Sequence, residues 1–242
     1  METVIGTNPE FTENNFAGQS LELVSEIQQE LAKGLDSLGG KTHRGLEDQF
    51  PFHSASHINR AVEGYVLLRQ QFRLDASRLL IRPAIEAAIK ILAVQKQPEL
   101  LYQIAYSERL DDQKLIRKGA RSQGGGDELA QEQRRWDVFV KLYRDHFPTH
   151  KLEDKKLPLR VAAIAAGIED YYDSAYRVYC QFTHAAFRAI TGNLDELYVH
   201  DNPAMGLCAL TGLEAVGLLG GTTPDVELFR SRMVKLGIKP SD

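Results

Sequence analysis

Two stretches of this chain carry polar residues at spacings that could do chemistry. In the first, Leu74 to Gln95 (LDASRLLIRPAIEAAIKILAVQ), Arg82 and Glu86 lie four residues apart and share one face of a helix. Asp75, Arg78 and Lys90 fall on the same polar stripe. The stripe has two readings. It is a solvated face of surface ion pairs, each contributing under about 1 kcal/mol, or a partly buried Arg–Glu pair that lines a pocket or fixes helix packing. Apolar residues cover more than half of the wheel, so this helix must be contacted on several sides. Pro83 stands beside the pair. Inside a helix it removes the hydrogen bond to the Leu79 carbonyl and bends the axis, which shapes a cavity.

The second stretch is DYYDSAYRVYCQFTHAAF, Asp170 to Phe187. Tyr176, Cys180 and His184 climb one helix at four-residue steps, and Thr183 adjoins that face. A histidine there can act as acid or base, because its unperturbed pKa lies near neutrality. The blander reading is a core-edge histidine satisfied by one hydrogen bond. Arg177 and His184 also fit the loose R-x(4–6)-H spacing of helical ribonucleases of the HEPN type. There the Arg holds phosphate and the His assists cleavage at a 2′-hydroxyl. That motif favours a polar residue straight after the Arg, where this chain has Val178. The candidate catalytic residues are therefore His184, Glu86 and Arg177. The candidate ligand-binding set is Arg82, Glu86, Tyr176, Thr183 and His184.

Other groupings lead to simpler readings. His53 and His57 form H-x3-H, with neither the Glu of a zinc-protease motif nor a third ligand nearby, so no metal is expected. Glu169, Asp170 and Asp173 suit the negative charge favoured at a helix N-terminus. Ser122-Gln123-Gly124-Gly125-Gly126 lacks the Lys-Ser/Thr of a phosphate loop and reads as a linker. No dinucleotide fingerprint is present, and no cofactor is expected.

The bulk composition is that of a globular protein. The chain has 242 residues, 43% hydrophobic and 26% charged, with a formal net charge of -4. Nothing in this balance drives nucleic-acid binding through overall charge, so nucleic acid enters only under the ribonuclease reading. Cys180 and Cys208 sit far apart in apolar helical patterns, which predicts free thiols in a reducing compartment. The N-terminus has no basic region followed by an apolar core, and no run of 18 apolar residues exists. The protein is expected to be cytoplasmic and not to enter membranes.

The apolar spacing throughout is three and four, without an alternating strand pattern. The expected fold is all-α, a multi-helix bundle of about eight or nine helices. Residues 1–18 read as a flexible arm and 19–242 as one helical domain, with the linker at 124–126 and a C-terminal helical pair over 203–236. Expected helices begin at Leu21, with Ser20 as N-cap, and at Ser54, after a loop through Pro51. One continuous helix spans 74–95. Others run over roughly 98–119, 127–146, 160–166 and 168–190. The last pair starts with Asn202 and Thr223 as N-caps. The apolar helix Ala204 to Leu219 offers a self-association face, which suggests a homodimer.

Two stretches together carry a family resemblance. RLLIRPAIEAAIKI resembles the R-x-x-x-E helix of a widespread, mostly bacterial domain family of unknown function. DYYDSAYRVYCQFTHAAF is similar to its second signature, Y-x-x-x-Y, then Ser/Thr, then His. The matching positions are Arg82, Glu86, Tyr172, Tyr176, Thr183 and His184. The resemblance spans roughly Leu68 to Ile190 and implies an all-α fold in which Arg82, Glu86 and His184 meet. It implies no established reaction. Pro83 and the Phe182-Thr183 pair depart from the pattern. Three functions follow as alternatives. One is a polar pocket of Arg82, Glu86, Tyr176 and His184 that binds a small ligand or a protein partner, in phage defence or stress response. The second is a metal-independent ribonuclease using Arg177 and His184. The third is a structural or interaction module whose charged pairs specify packing.

Overall fold

The computed structural model describes residues 13–39, 45–110, 126–149, 156–183 and 198–238. Every regular element among them is a helix, as the apolar spacing predicts. In chain order these are α1 (Glu13–Leu38), α2 (Leu46–Gln70), α3 (Leu74–Arg78), α4 (Ile81–Lys96), α5 (residues 100–110), α6 (Gly126–His146), α7 (Leu159–Ala165), α8, α9 (Tyr198–Leu218) and α10 (Val226–Lys235). Helix α8 has three parts: Glu169–Tyr171, a π-helical turn Tyr172–Tyr176, and Arg177–Thr183. The chain divides into two compact units, Met1–Ile91 with Asp170–Asp242, and Leu92–Glu169.

The first unit is organised around α9, which packs on α1 and α2, while α1 and α2 also pack on each other. Met205, Ala209, Leu213, Ala215 and Val216 on α9 are fully buried. A helix that is apolar on all sides belongs in a core. The expected self-association face is therefore taken up inside this unit, with Leu218 left exposed at the helix end. From α1, Leu23, Val24, Ile27, Leu31 and Leu38 face inward, with Gly34 between the last two on the same side. Each such side chain stabilises the fold by roughly 1.5–3 kcal/mol on burial. Close approach of α1 to α9 depends on Gly34. A Cβ there would lie 2.9 Å from Val216 Cγ1 and 3.1 Å from the Thr222 carbonyl oxygen.

Helix α1 begins at Glu13, ahead of the expected Leu21, so residues 13–18 of the expected arm are helical. Residues 1–12 lie outside the described residues. Ser20 is not a cap: it is buried, and its hydroxyl donates to the Ala17 carbonyl. Helix α2 begins at Leu46 and absorbs the expected loop through Pro51, with Glu47 and Asp48 favouring its N-terminus. Asn202 and Pro203 lie inside α9. The cap of α10 is Asp225, whose side chain accepts from the Glu227 N–H at 3.0 Å, and not Thr223. At Ser20 and Asn202 tertiary contacts displaced the local signal, and at the start of α10 a neighbouring side chain did.

The second unit is held by an aromatic cluster between α5 and α6. Tyr102 meets Tyr143 and Phe147 edge-on, at 5.5 and 5.4 Å between ring centres, and Trp136 stacks on Phe139 at 5.4 Å. Ser107 Oγ accepts from the Leu157 N–H at 2.7 Å. Gly167, at φ +72, ends α7 as expected. Of the expected linker, residues 124 and 125 lie outside the described residues and Gly126 opens α6. No helix among the described residues is long and apolar enough to cross a membrane.

Candidate functional site

The expected continuous helix over 74–95 is interrupted at Leu79–Leu80, so α3 ends at Arg78 and α4 starts at Ile81. This changes the role of Pro83. It occupies the first turn of α4, where a backbone N–H has no intrahelical acceptor, and it does not bend a helix interior. The interruption also separates the fates of two arginines four apart. Arg78 is completely buried, while the Arg82 side chain keeps 23% of its exposure.

Arg82 Nε donates to Glu86 Oε1 at 2.8 Å. The hydroxyl of Tyr176, from α8, donates to the same oxygen at 2.6 Å. A carboxylate accepts up to about four hydrogen bonds, and no other described residue donates to Glu86. Burial works against the charge of Arg82, but its hydrogen bonds to Glu86 and Tyr176 outweigh that and raise its pKa. Burial, then the hydrogen bond to Glu86, also raises the Tyr176 phenol well above its ordinary value. At neutral pH Arg82 is therefore a guanidinium and Tyr176 a neutral phenol.

Tyr176 closes the π-helical turn of α8. Such turns insert a residue into an α-helix and recur at functional sites. Here the turn stacks Tyr172 on Tyr176, with ring centres 4.9 Å apart and planes 20° apart. Tyr172 stays partly exposed. Arg177 follows immediately, with a side chain 69% exposed and Asp173 Oδ1 at 3.7 Å.

A second polar group lies deeper in the same unit. Arg78 Nε donates to Asp201 Oδ2 at 2.9 Å, and both side chains are fully buried. Tyr179 donates to Asp201 Oδ1 at 3.1 Å, and Arg69 Nη1 lies 3.8 Å from Oδ2. Burial and the charge of Asp201 push the Tyr179 phenol well up. The adjacent Asn202 accepts from the Tyr65 hydroxyl at 2.6 Å and donates through Nδ2 to Ser20 Oγ and the Ala17 carbonyl. These contacts tie α1, α2, α3, α8 and α9 together. Sequence reasoning missed Arg78, Asp201, Asn202, Tyr65 and Tyr179 as a set. The available signal was the tyrosine-rich stretch, since a buried tyrosine hydroxyl requires a partner.

Of the expected site residues, the structure brings Arg82, Glu86 and Tyr176 together. Thr183 is the last described residue of α8, and His184 lies outside the described residues. Arg177 is not among the residues that meet Arg82, Glu86 and Tyr176; its neighbour is Asp173. His53 and His57 are exposed on α2, and among the described residues no three His, Cys, Asp or Glu side chains gather into a metal-binding cluster.

No curated protein and no solved structure matches the chain. The model of a family of unknown function (DUF5677) matches residues 52–201, more than half of the length. The matched segment includes Arg78, Arg82, Glu86, Tyr176 and Tyr179 and ends on Asp201. The chain therefore belongs to the family of unknown function DUF5677.

Proposed function

We propose that Arg82, Glu86 and Tyr176 form the core of a binding site for a small ligand or a protein partner, with Thr183 and His184 as further contacts. One observation carries this reading. Two donors converge on Oε1 of Glu86, while the Glu86 side chain keeps 31% of its exposure. The carboxylate is thus held in place and still reachable, which is the arrangement a binding group requires. The π-helical turn that delivers Tyr176 supports the same reading. Two free thiols, Cys180 and Cys208, suit the cytoplasmic location expected for such a protein.

The test is ligand-observed NMR of the full chain against nucleosides, amino acids and small carboxylates. At least one probe should bind wild type and lose binding in Glu86→Gln and Tyr176→Phe variants of unchanged helix content. Variants that bind every probe as wild type does would remove these residues from any site.

A second reading, the metal-independent ribonuclease of HEPN type using Arg177 and His184, is favoured by the exposure of the Arg177 side chain. An exposed guanidinium can meet a phosphate without first breaking a buried pair. This reading requires a dimer that joins two such motifs. RNA degradation by wild type and none by His184→Ala supports it; equal degradation by both removes His184 from the mechanism.

A further inference from the structure

Tyr176 and Tyr179 stand three apart on α8, so they share one side of that helix. Each hydroxyl donates to a carboxylate that also accepts from an arginine Nε. Tyr176 meets Glu86 of α4 at 2.6 Å, beside Arg82. Tyr179 meets Asp201 of α9 at 3.1 Å, beside Arg78. The outer group keeps some exposure, while Arg78 and Asp201 are fully buried. From this pairing we infer that Tyr179 and Asp201 are positioning residues for the outer group: their hydrogen bond holds α8 at the register in which Tyr176 reaches Glu86. The bearing of this on function rests on the binding-site reading above, but its test needs no ligand.

The π-helical turn is the reason that this register needs a hold. It spans Tyr172–Tyr176, and the hydroxyls of Tyr171 and Tyr179, on either side of it, are both buried. These two residues are eight positions apart. Unbroken α-helix turns through roughly 800° over eight positions, which would leave the side chains about 80° apart. One residue absorbed by the π turn removes about 100° of that, so they come within about 20° and enter the core together. Tyr171 is among the groups that raise the Tyr179 phenol, as close neighbours do. Regular α-helix is the default geometry, and relaxing the turn would rotate one side of α8 by about 100° against the other. Tyr176 ends the turn, and Tyr179 is the buried anchor that follows it. The bond from Tyr179 to Asp201 opposes that rotation, and Arg78 fixes Asp201 in turn.

The experiment follows tyrosine hydroxyl protons in the full chain, with ring-labelled tyrosine, by NMR. Exchange of such a proton with water reports how often its hydrogen bond opens. Tyr179→Phe removes only a hydroxyl and should speed exchange at Tyr176 about tenfold, the scale of one lost hydrogen bond. Tyr65→Phe removes another buried hydroxyl, bonded to the neighbouring Asn202, and should leave exchange at Tyr176 unchanged. Coupling is reciprocal, so Tyr176→Phe should speed exchange at Tyr179. That variant alters the outer group alone and carries the test even where Tyr179→Phe does not fold. Unchanged exchange at Tyr176 in Tyr179→Phe, or at Tyr179 in Tyr176→Phe, overturns the inference. So does an equal rise at Tyr176 in Tyr65→Phe, which would mark a general loosening of the unit. Each of these results leaves the ligand-binding test of Glu86 as it stood.

Discussion

Replacing Asp201 by alanine gives the sharpest test of how the first unit is held together. Asp201 is fully buried and accepts from Arg78, itself fully buried, at 2.9 Å and from Tyr179 at 3.1 Å. Alanine leaves the Arg78 guanidinium in the core without its carboxylate, a loss of about 3–5 kcal/mol for a broken buried pair. The Tyr179 hydroxyl loses its bond to Oδ1 as well, a loss on the scale of about 1 kcal/mol for one hydrogen bond. The terms overlap because they share one site, so the expected loss is roughly 4–6 kcal/mol. Domains are stable by about 5–15 kcal/mol, so the variant should lie near unfolding at room temperature. Urea unfolding followed by circular dichroism measures the loss. The double variant Arg78→Met, Asp201→Leu removes the buried pair, leaving Arg69 in place as the single variant also does, and should be less destabilised than Asp201→Leu alone. An Asp201→Ala loss within about 1 kcal/mol, the scale of an exposed ion pair, would refute the reasoning.

Three further outcomes follow from other parts of the structure. The phenols of Tyr65, Tyr171, Tyr176 and Tyr179 are all raised by burial first, so the folded state resists their ionisation. Stability from them is complete below the ordinary phenol pKa and is lost as pH rises above it. Phenolate absorbance should therefore show these four ionising together with alkaline unfolding, and a smooth titration in the folded state would contradict this. The carboxyl of Glu26 on α1 is lowered, chiefly by its hydrogen bond to Arg232 on α10. The stability this pair contributes is present above the ordinary carboxyl value and lost as pH falls through the lowered one. A Glu26→Gln variant should lose less stability than wild type between neutral pH and about pH 3, measured by urea midpoints. Finally, Gly34→Ala places a Cβ against Val216 and the Thr222 carbonyl and should cost about 1–3 kcal/mol in thermal or urea unfolding. No loss would show that α1 and α9 can separate freely there.

What could be read from the sequence was local. The Arg82–Glu86 pair was legible because residues four apart on a helix must be neighbours, and Tyr176 was legible as a polar tip on an apolar helix. The meeting of Tyr176 with Glu86 spans 90 positions and follows from packing, not from pattern. Arg78 was misplaced on a solvated stripe because the wheel assumed a single helix through Leu79–Leu80. Once that helix breaks, the stripe no longer describes a face. Asn202 beside Pro203 carries a strong cap signal, yet it lies inside α9, where partners as distant as Ala17 and Tyr65 hold it. The π-helical turn has no signature in spacing at all. The apolar helix α9 was legible as apolar. Its near-uniform hydrophobicity should have been read as the mark of a central helix, and not of an outer face.

The position of Asp201 and Asn202 bears on how the chain reaches this structure. These two residues bond to partners 123, 137, 182 and 185 positions earlier in the chain. During synthesis α1 and α2 emerge long before α9, with Leu31, Ile58 and Val62 among the inward-facing residues still uncovered. Contacts of such separation form late and slowly, because a long loop must close first. The second unit is continuous in sequence, from Leu92 to Glu169, and meets no such delay. The first unit therefore cannot complete its contacts until the chain has been made through Asn202. A truncation before Asp201 is expected to leave the inward faces of α1 and α2 uncovered.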